Sequence, residues 1–228
     1  MKSKLIEAWL NSGLIIASRY QDKISQQSIA SAKSLGERSS TKDFRFYSML
    51  FDGISIDGTV SILDIGCGQA ELLSFLKNNY PHVKIDRYLG LDLVKEFLNV
   101  AQCNYPDYEF QLGNFICEQF LPKQSFTIVI ALGVLVSRVP YYQEFVEHFI
   151  RKMVQCSSGH ILFNLISEVD FSSQNYVNYE QVGHSTCFSR KALESILDKI
   201  EDINYRIVEA RIFPDATDMF VHVFCRTC

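Results

Sequence analysis

Apolar residues follow two spacings along this chain, and the two spacings alternate. Some runs are almost continuously apolar, as in strands covered on both faces, and these lie at 60–65, 126–132 and 160–166. Other stretches repeat apolar residues every three or four positions, as helices do, and these lie at 71–79, 94–103, 141–155 and 190–200. Further strands are expected near 84–92, 108–112, 205–213 and 218–226. The alternation predicts an α/β fold with a mostly parallel, doubly wound sheet.

The beginning of the chain differs from the rest because it precedes the first predicted strand. Residues 2–20 have helical spacing, and 43–51 form a second helical pattern. The polar residues 21–42 between them are expected to be helical in part, ending near Gly36. We therefore expect a helical cap segment at 1–48 and a main domain at 49–228. The cap either closes over a ligand pocket or packs on the sheet edge without touching a ligand. Within the sheet, the alternation of 108–112 predicts that Leu112 points inward.

A glycine turn follows the first strand and is the centre of the chemistry. Gly66 and Gly68 flank Cys67, and glycine permits positive φ and close approach of a ligand to bare backbone. Asp64 precedes the turn, and Glu71 occupies the third glycine position of a dinucleotide fingerprint. Two added carboxylates would repel a pyrophosphate. They suit a ligand with an ammonium and a sulfonium, such as S-adenosylmethionine.

Four stretches together resemble the class I S-adenosylmethionine-dependent methyltransferases. They are Leu63-Asp-Ile-Gly-Cys-Gly-Gln-Ala, Tyr88-Leu-Gly-Leu-Asp92, Gln111-Leu-Gly-Asn-Phe115 and Phe126-Thr-Ile-Val-Ile-Ala-Leu-Gly133. They occur in the family's order and spacing over roughly residues 45–228. The resemblance implies a Rossmann-like sheet of seven strands with the last one antiparallel, and an enzyme of the small-molecule type. The third stretch departs from the family, since its usual Asp is Asn114 here.

The resemblance implies a set of cofactor-binding residues at the carboxyl ends of the strands. They are Asp64, Gly66, Cys67, Gly68, Asp92, Leu93, Asn114, Phe115, Leu132 and Gly133, with Arg45 and Tyr20 as candidates for the cofactor carboxylate. Asp64 would meet the cofactor ammonium, or would only brace the glycine turn. Asp92 would accept both ribose hydroxyls, or would cap the following helix. Asn114 would bond the adenine amino group, and Leu93 and Phe115 would touch the ring.

The residues that would bind the methyl acceptor are harder to identify. The loop 133–140 lacks the Asn/Asp-Pro-Pro-aromatic pattern of enzymes that methylate DNA bases and glutamine. The long loop 167–188 offers aromatic walls, and loops of this length are often functional. The candidates are Tyr176, Tyr179, His184, Phe188, Ser137, Arg138 and Arg190, with His184 as a possible general base. The arginine forks predict a small, anionic acceptor.

The composition of the chain limits the kinds of molecule and compartment with which the protein is expected to associate. The net charge is −4 without a basic run, which argues against a nucleic-acid partner. No apolar run reaches 18 residues, so we expect no membrane segment. Seven scattered cysteines predict reduced thiols in a cytoplasmic protein without a metal site. The oligomeric state stays open.

Two classes of function fit these observations. The first is an enzyme that transfers a methyl group from S-adenosylmethionine to oxygen or nitrogen of a small molecule, leaving S-adenosylhomocysteine. The second is a non-catalytic adenosyl-ligand binder that kept the fold, which fold alone does not exclude. Methylation of a protein or an RNA is a lesser alternative within the first class.

Overall fold

The computed structural model describes residues 2–29, 44–117, 120 and 122–225, and it contains six helices and seven strands within them. The helices are α1 (Lys2–Gln26), α2 (Arg45–Phe51), α3 (Glu71–Asn79), α4 (Lys95–Asn104), α5 (Tyr142–Cys156) and α6 (Arg190–Leu197). The strands are β1 (Thr59–Ile65), β2 (Lys84–Asp92), β3 (Glu109–Leu112), β4 (Phe126–Ala131), β5 (Ser157–Val169), β6 (Ile203–Phe213) and β7 (Ala216–Cys225).

The strands form one sheet in the order β3-β2-β1-β4-β5-β7-β6. The first five strands are mutually parallel, and β7 runs antiparallel to both β5 and β6. The predicted doubly wound sheet with an antiparallel last strand is therefore confirmed. The chain order reverses between β1 and β4, and ligands of such sheets bind at that reversal, beyond the carboxyl ends of the strands.

Helices cover both faces of the sheet. One face packs against α1, α5 and α6, with Trp9, Phe149 and Leu193 among the buried side chains. The other face packs against α2, α3 and α4, with Phe51 and Phe75 in its core. Alternate residues of the central strands serve opposite faces. A strand buried on both faces needs apolar residues at every position, which explains the continuous runs in the sequence.

One detail differs from the sequence-based expectations. Leu112 is 54% exposed rather than inward, because β3 is the short edge strand of the sheet. Helix α1 continues into the polar stretch 21–42, which was expected to be helical in part, and ends at Gln26. Helix α2 lies within the expected helix 43–51 and buries Phe51 in the core. The boundary at residue 48 stays a prediction, and most of the polar stretch lies outside the described residues.

Within the described part of the chain, no helix is both long enough and apolar enough to cross a membrane.

Candidate functional site

The glycine turn is fixed to the neighbouring strand β2. Gly66 and Gly68 have φ angles of 72° and 55°, the left-handed region that favours glycine. The N–H groups of Gly66 and Cys67 both donate to the Leu91 carbonyl, at 2.7 and 3.1 Å. The turn is thereby held at the end of β1 with its backbone facing the space above the sheet.

Asp92 joins this turn to the start of α4. Its Oδ2 accepts from the Gly68 N–H and its Oδ1 accepts from the Val94 N–H, both at 2.9 Å. Burial raises the pKa of this carboxyl, and the backbone donors partly offset the rise. The two interpretations of Asp92 are therefore compatible. A carboxylate has about four acceptor positions, so it can brace the backbone and still accept from a ligand hydroxyl.

Asp64 lies beneath the turn rather than in the open space. It is 4% exposed, and its Oδ2 accepts from the Tyr88 hydroxyl at 2.6 Å. Burial raises its pKa to about 7; the Tyr88 bond opposes this shift, while Asp92 and Glu71 add to it. In this geometry Asp64 supports the glycine turn through its bond to Tyr88, and it places a titratable carboxyl group next to the site.

A first cavity, here called the β2 cavity, opens beyond the ends of β1, β2 and β3 and has a volume of about 190 Å³. Most residues implied by the resemblance line it, namely Gly66, Gly68, Asp92, Leu93, Asn114, Phe115, Leu132 and Gly133. Asn114 Oδ1 accepts from the Ile116 N–H at 3.1 Å, while Phe115 packs against Phe149 with ring centroids 4.9 Å apart. The cavity has apolar walls with a carboxylate at one side.

Helix α1 forms the cover of the β2 cavity. Trp9 donates its Nε1–H to the Pro140 carbonyl at 2.9 Å and lines the cavity. Gly13 lies so close to Asn114 that an added Cβ would come within 2.4 Å of its Nδ2. The helix therefore lies against the ligand space, as expected for a closing cap rather than for one packed away from it.

A second cavity, here called the β7 cavity, has a volume of about 300 Å³ and extends toward the antiparallel part of the sheet. It shares six lining residues with the β2 cavity, and these are Tyr20, Gly66, Gly68, Leu132, Gly133 and Ser137. The two cavities thus meet at the glycine turn. At this junction Gly133 has φ 73°, and a Cβ there would have no atom within 4 Å, so its backbone faces open space.

Three polar groups are connected in the wall of the β7 cavity. The Gly133 N–H donates to Asn164 Oδ1 at 2.7 Å, and Asn164 Nδ2 donates to Asp218 Oδ1 at 3.3 Å. Asn164 and Asp218 are 2% and 4% exposed. Polar groups buried this far are stable only when hydrogen-bonded, and the chain of bonds meets that requirement.

Several expected acceptor residues lie away from both cavities as the described residues form them. Tyr176 lines the β7 cavity, whereas Arg138, His184 and Tyr179 line neither. Arg138 and His184 are joined through backbone, since the Arg138 N–H donates to the His184 carbonyl at 2.8 Å. Tyr179 instead packs against exposed Phe171, with ring centroids 4.5 Å apart and the rings tilted by 53°.

The outer residues of the expected wall also have other partners. Phe188 is buried in the core against Tyr142, with ring centroids 5.4 Å apart. Arg190 pairs with Glu194 at 2.9 Å on the outside of α6. Arg45 is exposed and donates to the Ile212 carbonyl at 3.4 Å, so it does not line either cavity. The anionic-acceptor wall expected from Arg138 and Arg190 is therefore not formed around the described cavities.

The structure adds residues to the site that the sequence did not single out. Arg19 and Lys23 of α1 line the β7 cavity together with buried Glu71, Asn164 and Asp218. A polar residue inside an apolar strand was the available signal, because Asn164 interrupts the run His160-Ile-Leu-Phe-Asn-Leu-Ile166. Arg19 and Lys23 carried no such signal, since cations on a surface helix are usually solvated.

Comparisons with known proteins support the family given by the motifs. A sequence profile described as a methyltransferase domain matches residues 62–155. An uncharacterized protein of Methanocaldococcus jannaschii is 27% identical over 165 residues, which is 65% of this chain and 42% of that protein. The chain thus spans less than half the length of this curated relative.

Solved structures share the fold at low sequence identity. The plantazolicin methyltransferase BpumL, solved with a desmethylplantazolicin analog and S-adenosylhomocysteine, matches over 100% of both chains with a TM-score of 0.61 and 16% identity. An S-adenosylmethionine-dependent methyltransferase of Clostridium acetobutylicum matches over 82% of this chain and 94% of its own, with a TM-score of 0.58 and 11% identity. The magnesium protoporphyrin IX methyltransferase of Synechocystis, solved with bound S-adenosylmethionine, matches over 80% of this chain and 76% of its own, with a TM-score of 0.52 and 14% identity. The profile match thus places a methyltransferase domain at residues 62–155, and the solved structures together with the strand order show that the chain has the fold of S-adenosylmethionine-dependent methyltransferases.

Proposed function

We propose that this protein is a methyltransferase that uses S-adenosylmethionine to methylate oxygen or nitrogen of a small molecule. The observation that carries the proposal is the junction of two cavities at the glycine turn. One cavity matches the donor in shape and chemistry, and the other leaves room for an acceptor beside it. Family relatives solved with this cofactor or its product support the choice of donor.

The β2 cavity fits an adenosyl group. Leu93, Phe97 and Phe115 supply apolar surface for a flat base, and Asp92 supplies acceptors for ribose hydroxyls. Gly133 leaves its backbone bare at the junction, where a side chain would fill open space. The residues present therefore match the group that the family implies.

The charges around the junction fit the amino-acid end of the cofactor. Glu71 lines the β7 cavity beside the glycine turn, with Asp64 beneath, and both carboxylates suit an ammonium. Arg19 and Lys23 of α1 line the same cavity and suit the carboxylate. Burial and the nearby Arg19 lower the pKa of Lys23, so a bound anion there would stabilise its charged form.

Catalysis would rest mainly on positioning. When bound, the cofactor supplies a methyl group on a positively charged sulfur, a carbon already activated for displacement. The chain holds two reactants in adjoining cavities and uses α1 to exclude water, which lowers the entropic part of the barrier. Tyr20 and Ser137 are the hydroxyl groups at the junction, where they can orient an acceptor.

A small acceptor is the proposal because the β7 cavity has a volume of about 300 Å³, the size of a small-molecule site. Relatives of the same fold include enzymes named for plantazolicin and magnesium protoporphyrin IX. The six cysteines among the described residues are free thiols, which favours a reducing compartment such as the cytoplasm.

Two measurements test this proposal. Calorimetry should show saturable, one-to-one binding of S-adenosylhomocysteine. Incubation of the protein with S-adenosylmethionine and a metabolite extract should yield S-adenosylhomocysteine together with a methylated small molecule. Absence of cofactor binding would refute the donor assignment. Binding without turnover on any extract would favour the non-catalytic alternative, and turnover only on bulk protein or RNA would overturn the small-molecule acceptor.

A further inference from the structure

Two cations of helix α1 reach the β7 cavity without a carboxylate partner. Arg19 and Lys23 lie four residues apart on this helix, and both line the cavity. Arg151, Arg190 and Arg206 each form an ion pair with a carboxylate elsewhere in the molecule. Among the residues that the structure describes, Arg19 and Lys23 form no such pair. Like charges four residues apart weaken a helix slightly, so the two cations are suited to receive anionic groups.

Arg19 is fixed against the loop that closes the acceptor side of the cavity. Gly183 of this loop has a φ of 81°, and a Cβ added there would come within 3.3 Å of Arg19 Nη1. The glycine thus leaves room for the guanidinium beside bare backbone. Two residues further on, Ser185 forms a β-bridge with Ser137, and both serines line the cavity. This wall therefore combines a guanidinium with two hydroxyl groups that can donate hydrogen bonds.

Lys23 lies toward the donor side instead. Its Nζ is 4.8 Å from the centroid of the Tyr20 ring, and Tyr20 lines both cavities. Burial raises the pKa of the Tyr20 hydroxyl, and the nearby Asp92 carboxylate of the β2 cavity raises it further. The cofactor carboxylate of the proposed function has one negative charge, which Lys23 can balance. Arg19 therefore stays available for the acceptor.

We propose that Arg19 is the specificity-determining residue of a subsite for an oxyanion on the acceptor, either a carboxylate or a phosphate group. This inference rests on the proposed function and names its substrate class. The planar guanidinium fork matches either group with two parallel hydrogen bonds, and Ser137 and Ser185 can donate to a remaining oxygen. Arg138 and Arg190, from which the sequence predicted an anionic acceptor, line neither cavity in the described structure, so the anion-binding role falls to α1 instead.

The test uses ligands matched in shape and different in charge. Benzoate, benzamide and benzamidine are nearly isosteric and carry a negative, a zero and a positive charge, and phenyl phosphate represents the second oxyanion. Ligand-observed magnetic resonance would measure their binding to the protein saturated with S-adenosylhomocysteine. At least one anion should bind at least about tenfold more tightly than benzamide, and the tighter anion identifies the oxyanion. Equal or better binding of benzamide or benzamidine would overturn the subsite. So would displacement of S-adenosylhomocysteine by the anions, because they would then occupy the site of the cofactor carboxylate.

Arg19→Met should abolish the anion preference, because methionine keeps an apolar stem and removes the fork, and it should largely retain binding of S-adenosylhomocysteine. Arg211→Met is the matched control, since it removes an arginine of β6 whose side chain is 59% exposed and lines neither cavity. A preference that survives Arg19→Met, or that is lost in Arg211→Met, would overturn the assignment to Arg19.

A measurement on the unmodified protein covers the case in which Arg19→Met fails to fold. The backbone amide resonance of Gly183 should shift with the anions and not with benzamide, because the guanidinium lies against this residue. An unchanged resonance with both anions would refute the subsite.

Binding of S-adenosylhomocysteine, measured by calorimetry, keeps the subsite and the proposed function apart. Saturable cofactor binding without any anion preference would overturn the subsite and leave the proposed function intact. The panel is also run without S-adenosylhomocysteine. An anion preference that is lost in Arg19→Met would then support the subsite even if cofactor binding, and with it the proposed function, failed.

Discussion

The two cavities are built from different kinds of sequence. The β2 cavity is formed mainly by residues that follow β1, β2, β3 and β4 immediately, so each contribution lies at a predictable place along the chain. The β7 cavity takes residues from α1, from the loop before α6 and from inside β5 and β7. The first is a property of the parallel sheet, and the second depends on how distant segments pack.

This difference separates two tasks. A parallel sheet gathers the carboxyl ends of its strands at one edge, which suits the binding of the proposed donor. The antiparallel end and the covering helix can vary without disturbing that edge, which suits selection among acceptors. We therefore expect variants of the β2 cavity to affect donor binding and variants of the β7 cavity to affect acceptor choice.

The largest effect is expected where the cavities meet. Gly133→Val would add a side chain in space that is open to both cavities, at a φ of 73° that valine tolerates poorly. We expect binding of S-adenosylhomocysteine to fall about 1000-fold or more, from strain and steric filling together. Calorimetry would measure the loss, and circular dichroism would check that the variant folds.

The chain offers a matched control for this variant. Gly58 has a φ of 72° and also has no atom within 4 Å of an added Cβ, but it lines neither cavity. Gly58→Val should therefore carry similar backbone strain and keep its affinity for S-adenosylhomocysteine. Comparable binding by both variants would show that the junction is not part of the ligand site.

The next prediction concerns the carboxylate beneath the β2 cavity. Folding raises the pKa of Asp64 to about 7, so between about pH 4 and pH 7 the native protein keeps a proton that the unfolded chain releases. The contribution of Asp64 to the free energy of unfolding should therefore fall as the pH rises through this window, by about 4 kcal/mol. Above that window the loss is complete.

Asp64→Asn removes this titration and keeps an oxygen that can accept from the Tyr88 hydroxyl. Denaturant unfolding from pH 4 to pH 8 should show the variant gaining stability relative to the natural protein as the pH rises. Parallel curves for the two proteins would mean that Asp64 does not titrate in this range.

The contrast between the cavities also explains what the sequence could predict. The glycine turn, Asp92 and the residues after β3 and β4 were predictable because a strand, a turn and a helix start are local patterns. The antiparallel last strand came from the family resemblance, and the sheet order confirms it.

The acceptor side could not be predicted in the same way. Asn164 and Asp218 are 54 residues apart in the chain. Only the register of β5 and β7 brings them within hydrogen-bond distance. Arg138 was a candidate because it lies in the loop after β4, yet its position depends on backbone pairing with 183–184. Leu112 had the right alternation, but the pattern did not reveal that β3 lies at the edge of the sheet.

Asp92 should show an effect confined to the donor side. Both its oxygens accept backbone N–H groups, so Asp92→Ala removes a brace of the glycine turn as well as acceptors for a ligand. We expect binding of S-adenosylhomocysteine to weaken by about 1.5–3 kcal/mol and thermal stability to decrease. Unchanged cofactor affinity in the folded fraction would leave Asp92 with the capping role alone.

The smallest effect is expected from loosening the cover with a substitution that keeps an aromatic ring in the wall of the β2 cavity. Trp9 holds α1 through its bond to the Pro140 carbonyl and an edge contact with Phe145, whose ring centroid is 5.6 Å away. Trp9→Phe keeps an aromatic ring but removes the donor, which should cost about 0.5–1.5 kcal/mol. Because that cost falls on the docking of α1, amide exchange should accelerate in α1 more than in the sheet. Leu14→Ala is the control, since Leu14 lies on the same helix with 71% of its surface exposed.

The same variant distinguishes a mobile cover from a fixed one. If α1 closes over the donor, S-adenosylhomocysteine should slow amide exchange in α1, because the ligand binds the form in which α1 is docked. In Trp9→Phe the ligand should restore most of the protection from exchange that the substitution removed. Its affinity should fall only a few-fold, in proportion to the cost of docking. Exchange in α1 that is insensitive to the ligand in both proteins would make the helix a static part of the fold.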